Sequence, residues 1–195
     1  MSFLEEINNL IIDFLNNIGI FATVVASLCI SLEAIIPILP LGVFITINFF
    51  YFGPTLGFVI SWLFTCLGCY LTFKLCQMKF RTWLEKKVMK KHENLFNKLL
   101  VMAQNIKVEQ LMVLMAITFI PSIVINLVAG TLRIDEKKYL IALLVGKIFE
   151  VSFWGIVGTS FLDSFKNPGS LIVLSVIVIA AFIVTKLINK KYKIG

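Results

Sequence analysis

Three ionisable side chains stand where the chain is otherwise apolar, and each suggests a different chemistry. Glu33 lies in "LEAIIPILPLG", followed by Pro37 and Pro40. A carboxylate at membrane depth costs a few kcal/mol and is seldom kept without a partner or a water path. It can serve as a proton-coupling site or as a fixed counter-ion, unless it is only a helix-end residue at the interface. Lys147 and Glu150, in "LLVGKIFEVSFWGIVG", are spaced i, i+3 and therefore share one helix face. They either neutralise each other or line a cavity in which Lys147 meets an anionic headgroup. A second proline-containing stretch, "TFIPSIVINLVAGTLRID", offers Pro121, Asn126 and Gly130, with Arg133 just beyond it. Broken helix there exposes backbone carbonyls and one side-chain amide, and Arg133 suits a phosphate or snorkels to interfacial headgroups.

Catalysis and metal binding have little to build on. No H-E-x-x-H, no G-x-S-x-G and no cluster of carboxylates occurs, and the one histidine, His92, lies in a basic polar stretch. An enzyme, a metal site and a cofactor are therefore not expected. Cys66 and Cys69 have C-x-x-C spacing, but there is no second pair and no nearby histidine, so they read as packing residues along with Cys29 and Cys76.

These residues must be positioned by a membrane protein. Of 195 residues, 59% are hydrophobic, and the mean hydropathy is +0.95, against about 45–50% apolar residues in ordinary soluble domains. The start, "MSFLEEINNL", lacks the basic region of a signal peptide, so nothing is expected to be removed and a plasma (inner) membrane is the expected location. Apolar blocks fall at about 18–53, 55–77, 111–130, 139–161 and 169–188. The first would form roughly 54 Å of helix against a hydrocarbon core of about 30 Å, too long for one crossing and too short for two. Pro37 and Pro40 break helix, because proline lacks the amide proton and its ring clashes with the preceding turn. The block therefore reads as a helix through about Ser31 followed by a re-entrant segment at 33–53.

Charge placement sets the orientation. Between Lys79 and Lys107 the cations are Lys79, Arg81, Lys86, Lys87, Lys90, Lys91, Lys98 and Lys107, opposed only by Glu85 and Glu93, and the tail adds Lys186, Lys190, Lys191 and Lys193. The positive-inside rule places both clusters in the cytoplasm, which requires an even number of crossings between them. Three blocks intervene, so the one at 111–130, with Pro121 at its middle, is expected to turn back. The expected fold is an all-α integral membrane protein with about four transmembrane helices and two proline-broken re-entrant hairpins arranged as an inverted repeat, the design by which secondary transporters build a midplane site. It forms a single polytopic domain over 1–195: a first half (18–77), a basic cytoplasmic surface-helix region (79–107), a second half (109–161) and a C-terminal transmembrane helix (169–188). Within the basic region Leu84, Val88, Leu95, Leu99 and Met102 form one stripe beside Trp83 and Phe96, as in a helix lying on anionic lipid. The net charge of +7 is thus explained by topology and anionic lipid headgroups, and no nucleic acid is expected. A homo-oligomer stays open.

The spacing Glu33-x3-Pro37-x2-Pro40, the turn Gly53-Pro54-Thr55-Leu56-Gly57, then Phe119-Ile120-Pro121 with Ala129-Gly130, and a helix with Trp154 and Gly158 resemble the DedA superfamily over about residues 20–160. This is the SNARE-associated, VTT-domain group of membrane proteins. The resemblance implies two facing re-entrant hairpins and the movement of lipids between leaflets, either phospholipid scrambling or recycling of undecaprenyl phosphate. It carries Glu33, Pro37, Pro40, Pro121 and Gly130 as motif positions. Many bacterial members have arginines three residues before and after the second-motif proline, where this chain has Thr118 and Val124. That departure weakens the case for proton-coupled polyprenyl-phosphate transport. The expected function is a lipid transporter or scramblase. The rivals are a proton- or ion-coupled carrier of a small solute and a non-transporting membrane scaffold.

Overall fold

The structure is a computed structural model and describes residues 21–80, 105–118 and 120–165, together with 19, 101, 167, 175–180, 183 and 186. Most of the basic region, including His92 and its apolar stripe, and most of the expected helix at 169–188 lie outside the described residues. All regular structure among the described residues is helical. In chain order the helices are α1 (Phe21–Glu33), α2 (Leu41–Leu75), which runs into a π-helical turn at Cys76–Phe80, α3 (Val108–Ala116), α4 (Ser122–Thr131) and α5 (Glu136–Ser164).

Helix α2 has two limbs, because Gly53 has φ 75° and ψ 175° and Pro54 follows it. A positive φ suits glycine, and proline fits the first turn of the helix that resumes. The long limb, 54–75, would extend roughly 33 Å, and α5, with 29 residues, roughly 43 Å, enough to cross a bilayer. The other pieces are short: α1, the 41–52 limb, α3 and α4 each rise no more than about 20 Å.

The long limb is apolar on its outer face and polar on its inner one. Leu56, Val59, Leu63, Leu67, Leu71 and Leu75 recur at helical spacing and are 41–58% exposed, while Ser61, Thr65 and Thr72 are buried. Helix α5 repeats this with Ile141, Leu144, Val145, Ile148 and Phe149 outside and Lys147 and Glu150 inside. A helix of a soluble protein turns its leucines inward; here lipid takes the place of water, and the protein is a membrane protein.

Glycines set the helix spacing where the half-length pieces dock. A Cβ at Gly57 would meet the backbone of Asn48 and Phe49 at 2.6 Å, and one at Gly68 would strike the Ser31 backbone. Gly155 and Gly158 of α5 receive Phe49 and Thr46 in the same way. Two apolar clusters complete the core. One joins Phe73, Leu111, Met115, Ile125, Tyr139 and Leu143, and the other joins Ile30, Leu41, Ile45, Phe49 and Val151.

The helix breaks expected at Pro37, Pro40 and Pro121 are present, and the first helix runs two residues past its expected end near Ser31. Helix continues through Glu33, and the chain turns over residues 34–40, so both α1 and the 41–52 limb flank the tip. The Leu32 carbonyl accepts from the amides of both Ile35 (2.9 Å) and Ile36 (2.8 Å), which closes the helix four residues before Pro40. Helix then restarts directly after Pro40, whose carbonyl accepts from Val43 N (3.0 Å).

Candidate functional site

Glu33 is the last residue of α1, and its side chain faces in, as does that of Ala34 after it. Leu32 and Ile35 are exposed, whereas Glu33 is 6% exposed. Its carboxylate faces Ser122, Lys147 and Glu150. Ser122 opens α4 immediately after Pro121, so the second proline turn is what delivers this hydroxyl to the interior. Lys147 and Glu150 lie near the middle of α5, one turn apart, and point to the same place.

The contacts within the group are complementary. Lys147 Nζ donates to Ser122 Oγ (2.8 Å) and pairs with Glu150 Oε2. A hydroxyl that accepts from the ammonium keeps its own proton for Glu33. All four side chains are at most 6% exposed. Burying an ion costs several kcal/mol unless partners replace its water, so these charges must be compensated by one another. Compensation is incomplete in one respect. Two carboxylates share one ammonium, and Glu33 Oε2 is buried with no hydrogen-bond partner. The arrangement can take a further proton, cation or hydrogen-bond donor at that oxygen.

Two residues beyond Glu33 the chain becomes exposed. Ile35, Ile36 and Pro37 lie on the surface, and Ile38 is 90% exposed. The charged cluster therefore sits just behind an apolar tip that projects outward, and Pro40 closes the turn.

A second polar layer surrounds Asn126, one turn beyond Ser122. Tyr139 Oη lies 2.8 Å from Asn126 Oδ1 and 3.0 Å from the Cys69 carbonyl, and its ring stacks on Phe73 with centroids 4.0 Å apart. Toward the start of α5, Glu136 accepts from Tyr70 Oη (2.7 Å) and Lys74 Nζ (2.6 Å), tying the long limb to α5 at the rim. Cys66 and Cys69 are free thiols buried in the apolar core, in keeping with packing residues.

The structure brings Glu33, Lys147 and Glu150 together and places Pro121 at the turn that adds Ser122. Pro37 and Pro40 bound the exposed tip. Asn126 lies in the second layer, and Gly130 is a packing position where a Cβ would meet the Phe73 carbonyl at 2.6 Å. Arg133 is elsewhere. It is exposed in the turn between α4 and α5 with φ 52°, and the eleven residues from Glu136 to Lys147 rise roughly 16 Å along α5. Ser122, Tyr139 and Asn48 were not singled out from sequence. The available signals were a serine directly after Pro121 and an asparagine inside the apolar run "VFITINFFYF".

With this geometry in view, similarity to known proteins can be stated. The family model described as the VTT domain matches residues 36–160, which include Pro37, Pro40, Pro121, Ser122, Lys147 and Glu150 but begin three residues after Glu33. The chain is 31% identical over 141 residues to YhjE, an uncharacterized membrane protein of Bacillus subtilis (strain 168), covering 69% of this chain and 66% of that protein. It is 29% identical over 170 residues to YqeD, an uncharacterized protein of the same organism, covering 83% of this chain and 78% of the relative. The chain thus spans just under two thirds of the first relative's length. No solved structure matches it.

Proposed function

The chain belongs to the VTT-domain family, and on that premise we propose that it moves an amphiphile with an anionic headgroup, a phospholipid or a polyprenyl phosphate, between the two leaflets. One observation carries the reading: a charged cluster with an open carboxylate oxygen lies immediately behind an apolar tip that faces outward. A headgroup needs polar partners at depth while its acyl tails stay in hydrocarbon. Lys147 supplies the cation for a phosphate, Ser122 and Glu33 supply hydrogen-bonding groups, and the Ile35–Ile38 tip supplies the apolar side along which tails slide.

In this reading the half-length helices are two re-entrant hairpins, α1 with the 41–52 limb and α3 with α4, entering from opposite faces and turning at Pro37–Pro40 and Pro121. Each is too short to cross about 30 Å of hydrocarbon alone, and each is followed by a helix long enough to do so. With the expected helix at 169–188 this makes three crossing helices and an inverted repeat, one crossing fewer than the four expected from sequence because α1 serves as an arm of the first hairpin. Arg133 and the basic 79–107 region then face the cytoplasm of a plasma membrane, where they hold anionic headgroups without belonging to the path.

A second reading, a proton- or ion-coupled carrier of a small solute, is favoured by the ratio of two carboxylates to one ammonium. The test is reconstitution of the pure protein in liposomes containing a phospholipid with a fluorescent headgroup, followed by dithionite quenching. Wild type is expected to expose inner-leaflet lipid, and Glu33→Gln to slow the process while remaining folded. Exchange no faster than in protein-free liposomes overturns the proposal. Solute uptake driven by a pH gradient would then select the carrier, and neither activity would select a scaffold.

A further inference from the structure

Four buried side-chain atoms lack a hydrogen-bond partner among the described residues: Glu33 Oε2, Asn48 Oδ1, Asn126 Nδ2 and Thr131 Oγ1. Their distribution is uneven. All four belong to half-length pieces, α1, the 41–52 limb and α4, and none to the long limb or α5, the two helices long enough to cross a bilayer. Asn48 is fully buried, and its Nδ2 donates to Ser27 Oγ (3.2 Å) and Ser61 Oγ (3.1 Å), which leaves its carbonyl oxygen without a donor. Around Asn126 the proton count fails twice. Tyr139 has one hydroxyl proton for two acceptors, Asn126 Oδ1 and the Cys69 carbonyl. Asn126 Nδ2 meanwhile has no well-formed hydrogen bond, and the Cys69 thiol that it faces is only a weak acceptor.

These sites lie on both sides of the charged cluster. Ser61 and Cys69 are eight residues apart on one buried face of the long limb, roughly 12 Å. Between and beside them, Cys66 and Cys69 lie within the electrostatic reach of Lys147 and Glu150. We propose that Asn48 and Asn126 each hold a buried water molecule, so that hydration flanks the Glu33–Ser122–Lys147–Glu150 cluster on both sides. At Asn48 the water donates to Oδ1. At Asn126 it accepts from Nδ2 and donates to whichever acceptor Tyr139 leaves unserved. Buried water typically makes two to four such bonds to groups that would otherwise be unsatisfied. If all four atoms stayed dry, the combined penalty would rival the whole stability of a small domain.

The experiment is X-ray hydroxyl-radical footprinting of the full chain in nanodiscs, read by mass spectrometry. Radicals formed from bound water oxidise the side chains beside it, however deeply buried. Phe49, next to Asn48, and Cys69 and Tyr139, next to Asn126, are all at most 8% exposed and are expected to be oxidised on millisecond exposure. Asn48→Leu should abolish the Phe49 signal and leave Cys69 and Tyr139 unchanged, and Asn126→Leu should do the reverse. If either leucine variant fails to fold, Asn48→Met and Asn126→Met, whose flexible apolar side chains fill the same space without a polar anchor for water, make the same comparison. Protection of all three residues in the wild type overturns the proposal, and so does oxidation that is indifferent to these substitutions.

Discussion

Removing the Lys147 ammonium should destabilise the protein more than removing the Glu150 carboxylate, and removing both should cost less than the two losses added. Each side chain of the pair is 3% exposed, so neither charge can turn to solvent. Lys147→Met strands two carboxylates, Glu150 and Glu33, and takes the donor from Ser122. Breaking a buried pair from one side typically costs about 3–5 kcal/mol, and the upper part of that range applies when two anions are left. Glu150→Gln leaves Lys147 beside Glu33 and Ser122 and keeps a carbonyl acceptor on the same stem, so its cost should be about 1–3 kcal/mol. In the double variant Glu33 alone lacks a cation, and the cycle should give a coupling of about 1–3 kcal/mol. The assay is reversible unfolding of purified protein in mixed micelles, followed by tryptophan fluorescence, for all four members of the cycle. Losses that add to within about 0.5 kcal/mol would show that the pair does not interact. A larger loss for Glu150→Gln than for Lys147→Met would show that Glu33 does not share the ammonium.

Glu33→Gln keeps shape and one acceptor while removing the charge, so thermal stability should stay near wild type while liposomal lipid exchange falls; unchanged exchange in a folded variant would take Glu33 out of the mechanism. Gly68→Ala sets a Cβ against the Ser31 backbone, which cannot yield as a side chain can, and should cost about 1–3 kcal/mol by thermal unfolding. Arg133→Gly should move stability the other way, by up to about 1 kcal/mol, because Arg133 holds φ 52° and glycine adopts that region without a Cβ penalty; a lower melting temperature would mean that the guanidinium contributes more than the backbone loses. In a cysteine-free background, cysteines at Lys98 and Lys191 should be labelled from the same side of the membrane, and labelling from opposite sides would refute the turn-back at Pro121.

How much of this was legible in the sequence follows from what hydropathy can register. Pro37, Pro40 and Pro121 mark both turns, because a missing amide proton disrupts a helix whatever surrounds it. Glu33, Lys147 and Glu150 stand out because charges are rare in apolar runs. Their convergence does not, since it depends on how α1, α4 and α5 pack, and no local pattern records that. That α1 packs back beside the 41–52 limb, with Asn48 bonded to Ser27, was not legible for a related reason. Proline marks where helix cannot continue but not which preceding helix folds back against the next. The polar inner face was missed because Thr65 and Thr72 bond to carbonyls four residues earlier, at Ser61 (2.7 Å) and Gly68 (2.8 Å). Hydroxyls satisfied in this way sit comfortably in an apolar segment and give no sequence signal of a lining.

The division of labour between long and short helices explains why the open groups lie where they do. A helix that crosses the bilayer satisfies its backbone internally and only has to choose which side chains face lipid. The long limb and α5 put leucine, isoleucine and phenylalanine there and turn small, hydroxyl or paired charged groups inward. A half-length helix packed against them brings its terminus, with amides or carbonyls that have no intrahelical partner, among the buried side chains. Polar side chains near such an end, Glu33 closing α1 and Ser122 opening α4, therefore enter surroundings that are already polar. Placing Lys147 and Glu150 of α5 against those two ends compensates most of the charge. The oxygen of Glu33 that remains open then lies at the end of α1, two residues before the exposed Ile35–Ile38 tip.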